Sequence, residues 1–219
     1  ANKFPNVFIN FYNILNLSWT ETVSLHFDDE DRDEFLTETM TSLFKLFAAA
    51  CFGIVACMPF VFPILINEKY VAGYDQILIL MYAMLFRVLV GLYSCIYVAQ
   101  KNAKKIAYTS ISAAIINITV NLILINKIKI FAASISTLVA FFSMFIIRYI
   151  DVNKTVHMRI RKPIIIGSIL IGTMLMGTYY CENKMIQFIA LCITAIYAVL
   201  TNVDMLKSGM KLVKSHLGK

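Results

Sequence analysis

Charge is scarce in this chain, and that scarcity excludes most soluble architectures. Asp, Glu, Lys and Arg make up 15% of the 219 residues, and 59% of residues are hydrophobic. A soluble domain carries about 25% charged residues. The eight glycines form neither a G-x-x-x-x-G-K loop nor a G-x-G-x-x-G turn, which removes the common nucleotide-binding folds. His26, His157 and His216 are isolated in polar segments, so no metal site follows from them. Cys51, Cys57, Cys95, Cys181 and Cys192 contain no C-x-x-C and lie in or beside apolar runs. They read as small packing residues rather than as disulfide or metal ligands. No Ser/His/Asp arrangement is legible, so neither an enzyme nor a cofactor is expected. The D-x-D within Asp29-Glu30-Asp31 belongs to a longer acidic run and reads as a solvated connector.

What the chain has instead is long uncharged stretches. A helix crossing a bilayer needs roughly 20 apolar residues. Five runs qualify outright: Leu46–Asn67, Ile106–Asn126, Ile130–Ile147, Pro163–Cys181 and Met185–Val203. Two more each carry one ionisable residue, Phe4–Leu25 with Glu21 and Ile77–Ala99 with Arg87. The expected fold is an all-α polytopic bundle of about seven membrane helices, a single transmembrane unit over residues 1–219. The breaks are short and polar: Asn67-Glu68-Lys69-Tyr70, Lys101 to Lys105, and Cys181 to Lys184. Asn126-Lys127-Ile128-Lys129 is so tight that its flanking helices must form an antiparallel hairpin.

The net charge of +7 comes from Lys and Arg placed between apolar runs, without an aromatic-interleaved basic patch, so nucleic acid is not an expected partner. Across seven spans, thirteen of the twenty basic residues fall on one side, among them Lys101, Lys104, Lys105, Arg148, Lys154, Arg159, Arg161 and Lys162. Five fall on the other, with Lys45 at a helix start and Arg87 inside a helix. The richer side should be cytoplasmic, with the C-terminus inside. The chain starts Ala-Asn-Lys, with no signal sequence before its first span, and is expected to lack an N-terminal portion.

Ionisable or amide groups inside a span are costly and point to function. Arg87 has ten uncharged residues before it and shares a face with Gly91 and Ser94. It is either paired structurally or faces a wet cavity where it attracts an anion. Asn6, Asn10, Asn13, Thr20 and Ser24 lie along one face of the first span, with Glu21 at its margin. Ser110, Asn117 and Asn121 repeat the pattern in Ile106–Asn126. Such stripes serve either as interhelical hydrogen-bond glue or as a wall along which a sugar slides. Pro59 and Pro63 share a face and should bend their helix, as a gating element or as ordinary membrane-helix prolines. Arg159-Ile160-Arg161-Lys162 sets topology and attracts anionic headgroups, or else binds a lipid pyrophosphate.

Ala1-Asn2-Lys3-Phe4-Pro5, the Asn-rich span ending Ser18-Trp19-Thr20-Glu21-Thr22, and the acidic connector ending in Phe35 together carry a resemblance. They resemble the eighth helix of the bacterial polysaccharide flippases, the O-antigen, capsule and exopolysaccharide exporters of the MATE-like multidrug/oligosaccharidyl-lipid/polysaccharide superfamily. Tyr108 to Asn126 is similar to that family's segment before a short Lys-containing turn. The resemblance implies helices eight to fourteen of a fourteen-helix protein in the bacterial inner membrane. It further implies alternating access around a cationic cavity that accepts an undecaprenyl-diphosphate-linked oligosaccharide, with H+ or Na+ as coupling ion and membrane lipids as surroundings. The expected substrate path is Arg87, Asn6, Asn10, Asn13, Glu21, Ser94, Asn117 and Asn121, gated at Pro59 and Pro63. The alternatives are a cation-coupled drug antiporter of the same superfamily, which should show several acidic residues inside spans, and a membrane-embedded glycan polymerase or ligase, which should show a large outside loop.

Overall fold

The computed structural model describes residues 3–65 and 73–208. Seven helices fill the described chain: α1 (Lys3–Leu25), α2 (Arg32–Leu65), α3 (Tyr74–Ala99), α4 (Ala103–Ile128), α5 (Phe131–Val152), α6 (Lys162–Tyr179) and α7 (Lys184–Thr201). No strand occurs among the described residues. The readings made on Ala1 and Asn2, on the Asn67-Glu68-Lys69-Tyr70 break and on His216 lie outside them.

Six helices, α2 to α7, are long and apolar enough to cross a membrane. α1 falls short because Asn6, Asn10, Asn13 and Asn16, with Lys3 and Glu21, dilute its apolar residues. The central element is α3, which packs against α1, α2 and α5. It is buried almost all round, as a helix apolar on every side should be. α4 lies against α5, while α6 and α7 lie against α2. These peripheral helices turn Ile115, Ile118, Leu122, Ile169, Leu170, Ile196 and Leu200 outward, which suits a hydrocarbon surrounding.

Two boundaries differ from the expected ones. α2 begins at Arg32 rather than Leu46, so Lys45 lies inside a helix and not at its start. Its 34 residues make a rod about 51 Å long, against a hydrocarbon core about 30 Å thick. Asp33 and Glu34 fall in its first turn, where carboxylates favour the helix N-terminus. The projecting turns grip the α5–α6 connector. Asp33 Oδ2 accepts the His157 backbone N–H at 3.0 Å, and Arg161 Nη2 pairs with Glu38 Oε1 at 2.8 Å. The first turns of α2 and the α5–α6 connector are therefore held together by one backbone hydrogen bond to a carboxylate and one ion pair. α5 runs on past Ile147 to Val152, which takes Arg148 out of the connector and into the bundle.

The α4–α5 hairpin is formed as the sequence requires, with the turn at Lys129, whose φ is +48°. α2 runs through Pro59 and Pro63 without interruption. Pro63 has no N–H for the Pro59 carbonyl four residues earlier, and the Lys184 Nζ of α7 donates to that carbonyl at 3.0 Å. The helix end that carries both prolines is thus tied to α7.

Candidate functional site

A polar seam crosses the bundle from α1 over α3 to α5 and α4. One strip of α3 that is not fully covered carries Arg87, Gly91, Ser94 and Val98, which follow each other at helical spacing on one face. Arg87 lies near the middle of α3 and is exposed on the described chain, its guanidinium 5.9 Å from the Phe141 ring. No carboxylate pairs with it among the described residues.

α1 borders this strip with its polar flank. The Tyr12 ring packs directly over Gly91, and its hydroxyl donates to Asn16 Oδ1 at 2.5 Å. The Cys95 thiol lies 3.6 Å from the same Asn16 oxygen and 3.2 Å from Thr20 Oγ1. The Trp19 indole N–H donates to the Leu92 carbonyl at 3.1 Å and fixes the register of α1 on α3. α1 therefore buries Phe8, Ile9, Tyr12, Trp19 and Val23, and turns Asn6, Asn10, Asn13, Glu21 and Ser24 outward. Asn6, Asn10, Asn13 and Ser24 of the expected stripe are uncovered by any helix of the described chain, whereas Thr20 is half-buried against Cys95.

A β-carbon at Gly91 would overlap the Tyr12 hydroxyl and ring, which burial holds in place. Gly91→Ala should destabilise the bundle by about 1–3 kcal/mol through overpacking, read as a lowered midpoint of detergent-induced unfolding.

The second cation of the seam is Arg148, which sequence reasoning placed in a connector. It is 2% exposed and lies between α3, α4 and α5. Its Nε and Nη2 donate to Thr109 Oγ1 at 3.0 and 2.8 Å, and Nη2 reaches Ser110 Oγ at 3.4 Å. Nη1 donates to the Val90 carbonyl at 3.1 Å and to Ser94 Oγ. Every one of these acceptors is neutral. The nearby carboxylate of Asp151 is engaged by Lys105 Nζ at 2.7 Å and the Tyr97 hydroxyl at 2.9 Å. A signal for Arg148 was present in the sequence: Ala132, Ser136, Ala140 and Met144 recur every four residues, and the same step reaches Arg148 and Val152. All six are buried.

The remaining expected site residues divide. Ser94 sits inside the seam, where it joins Arg148 to the Val90 carbonyl. Ser110 lies at its far edge. Asn117 donates to Thr137 Oγ1 at 3.4 Å and so links α4 to α5, while Asn121 is half-buried nearby. Neither Asn joins the strip at Arg87. Pro59 and Pro63 lie at the opposite end of the molecule from Arg148, beside Lys184. No group of three or more His, Cys, Asp or Glu side chains arranged to hold a metal ion occurs among the described residues.

The seam can attract an anion and exchange hydrogen bonds with hydroxyl groups. Arg148 is bonded to α3 at Val90 and Ser94, three and seven positions from Arg87. No protein-family model, curated protein or solved structure matches the chain. Fold and seam together define a multi-pass α-helical membrane protein with a cationic, amide-edged face.

Proposed function

We propose that this chain is one lobe of a bacterial polysaccharide flippase, which moves an undecaprenyl-diphosphate-linked oligosaccharide across the inner membrane by alternating access. The carrying observation is an exposed mid-helix cation, Arg87, with no carboxylate partner among the described residues, beside an uncovered amide face on α1. Three amides turned toward lipid would leave their polar groups unsatisfied at membrane depth. Water, or a second lobe enclosing water, is the surrounding that suits them. In such a passage Arg87 draws the diphosphate or an acidic sugar, and Asn6, Asn10 and Asn13 exchange hydrogen bonds with its hydroxyls. A cytoplasmic C-terminus belongs to this reading and is supported by the lysine-rich connectors. A cation antiporter is less well supported, because Glu21 is exposed near one end of α1 and Asp151 is neutralised by Lys105.

The test is flipping of a fluorescent lipid-linked oligosaccharide by the complete protein in vesicles. Asn10→Leu/Asn13→Leu should keep the protein inserted and reduce flipping at least about tenfold, the loss of roughly one net hydrogen bond per amide. Full flipping by that variant would remove the sugar wall from the mechanism.

A further inference from the structure

α5 and α6 follow each other in the chain yet barely touch, and α3 floors the gap between them. The gap is a groove of about 430 Å³, walled by Phe142 and Phe145 of α5 and by Ile169 and Met176 of α6, with Leu85 and Leu89 beneath. Its few polar groups are already satisfied. Ser168 bonds the Tyr197 hydroxyl at 2.8 Å, the Tyr82 hydroxyl donates to the Gly172 carbonyl at 2.7 Å, and Thr173 donates to the Ile169 carbonyl at 2.9 Å. Nothing is left to recognise a polar ligand, so the occupant is hydrocarbon.

Length and charge narrow the occupant further. From Ile165 to Met176 the α6 wall runs about 16 Å, close to half of a hydrocarbon core about 30 Å thick. One end is lined by Ile160, and Arg159 and Lys162, both exposed, stand one and two residues from it in the chain. Arg161 is committed to Glu38, whereas Arg159 and Lys162 have no carboxylate partner among the described residues. A one-leaflet hydrocarbon slot that ends beside two uncommitted cations matches a membrane lipid with an anionic phosphate headgroup.

We propose that the α5–α6 groove binds one acyl chain of an anionic glycerophospholipid, whose phosphate is held by Arg159 and Lys162. This site is separate from the seam at Arg87 and does not depend on the flippase reading. The bound lipid completes the packing between α5 and α6 that the chain itself leaves open.

Native mass spectrometry of the purified full chain tests this, with phosphatidylglycerol, phosphatidylcholine and undecaprenyl phosphate as separate probes. Phosphatidylglycerol should be retained at one per chain and in preference to phosphatidylcholine. Arg159→Gln/Lys162→Gln should lower its affinity about 10- to 30-fold while leaving weak phosphatidylcholine binding unchanged. Ile169→Trp/Thr173→Phe, both at exposed positions, should abolish retention of either phospholipid. Equal retention of both phospholipids by the unaltered chain would overturn the proposal. So would an unchanged affinity in the charge variant, undiminished retention in the groove-filled variant, or preferential retention of undecaprenyl phosphate.

Discussion

Arg148→Met should yield a bundle at least as stable as the unaltered chain, whereas Arg148→Lys should be less stable by about 2–4 kcal/mol. The usual expectation for a buried arginine is the reverse, because lysine preserves the charge. Burying an ion costs several kcal/mol even after relaxation, and here no carboxylate offsets it. What makes the site tolerable is the guanidinium fork, which reaches from α5 to acceptors on both α3 and α4 at once. An ammonium cannot match that geometry, so lysine would keep the desolvation penalty and lose most of the hydrogen bonds. Methionine removes the charge and fills similar space. It strands nothing, because Thr109 Oγ1 already donates to the Lys105 carbonyl at 2.9 Å and Ser94 Oγ to the Val90 carbonyl at 2.6 Å. Unfolding midpoints in mixed detergent micelles would decide this. Equal stability of the Lys and Met variants would show that the charge, not the fork, is what the site accommodates.

Arg87→Ala should do the opposite kind of damage. Arg87 is exposed, its guanidinium lies against the Phe141 ring and no carboxylate pairs with it among the described residues, so stability should change by no more than about 0.5 kcal/mol, as at ordinary surface positions. A charge acting on an anion at close range in a partly dry passage is worth up to about 4 kcal/mol. Loss of flipping in the complete protein should therefore reach about 10²-fold or more. Arg87→Lys should fall between, since it keeps the charge without the planar fork. Full transport by Arg87→Ala would withdraw the anion-attracting role and leave the seam as structural packing.

The contrast between these two arginines shows where sequence reasoning succeeds and where it fails. Arg87 interrupts an apolar run near its middle, so its position within a helix follows from counting residues. Arg148 stands at the end of such a run, and ending the span there assumes that a cation seeks water. That assumption fails when Val90, Thr109 and Ser94 supply acceptors, and those residues are 39 to 58 positions away in the chain. The acidic run from Asp28 to Glu34 misleads for a related reason. It reads as a solvated connector, but Asp33 stands in the first turn of α2, and its partner His157 is more than 120 residues on.

By itself the sequence determined that the described elements are helices, where the apolar runs lie, the tight α4–α5 reversal, and an amide face on α1. These depend on run length, helical period and turn chemistry, which are local. Only the tertiary structure decided that α3 is the hub, that Arg148 is buried in a neutral cage, and that the α1 amide face is left uncovered. Each of those depends on which helix face meets which. In a chain this rich in apolar residues many faces are chemically alike, and the choice is made by shape at contacts such as Tyr12 over Gly91 and by buried donors that only distant carbonyls and hydroxyls can satisfy.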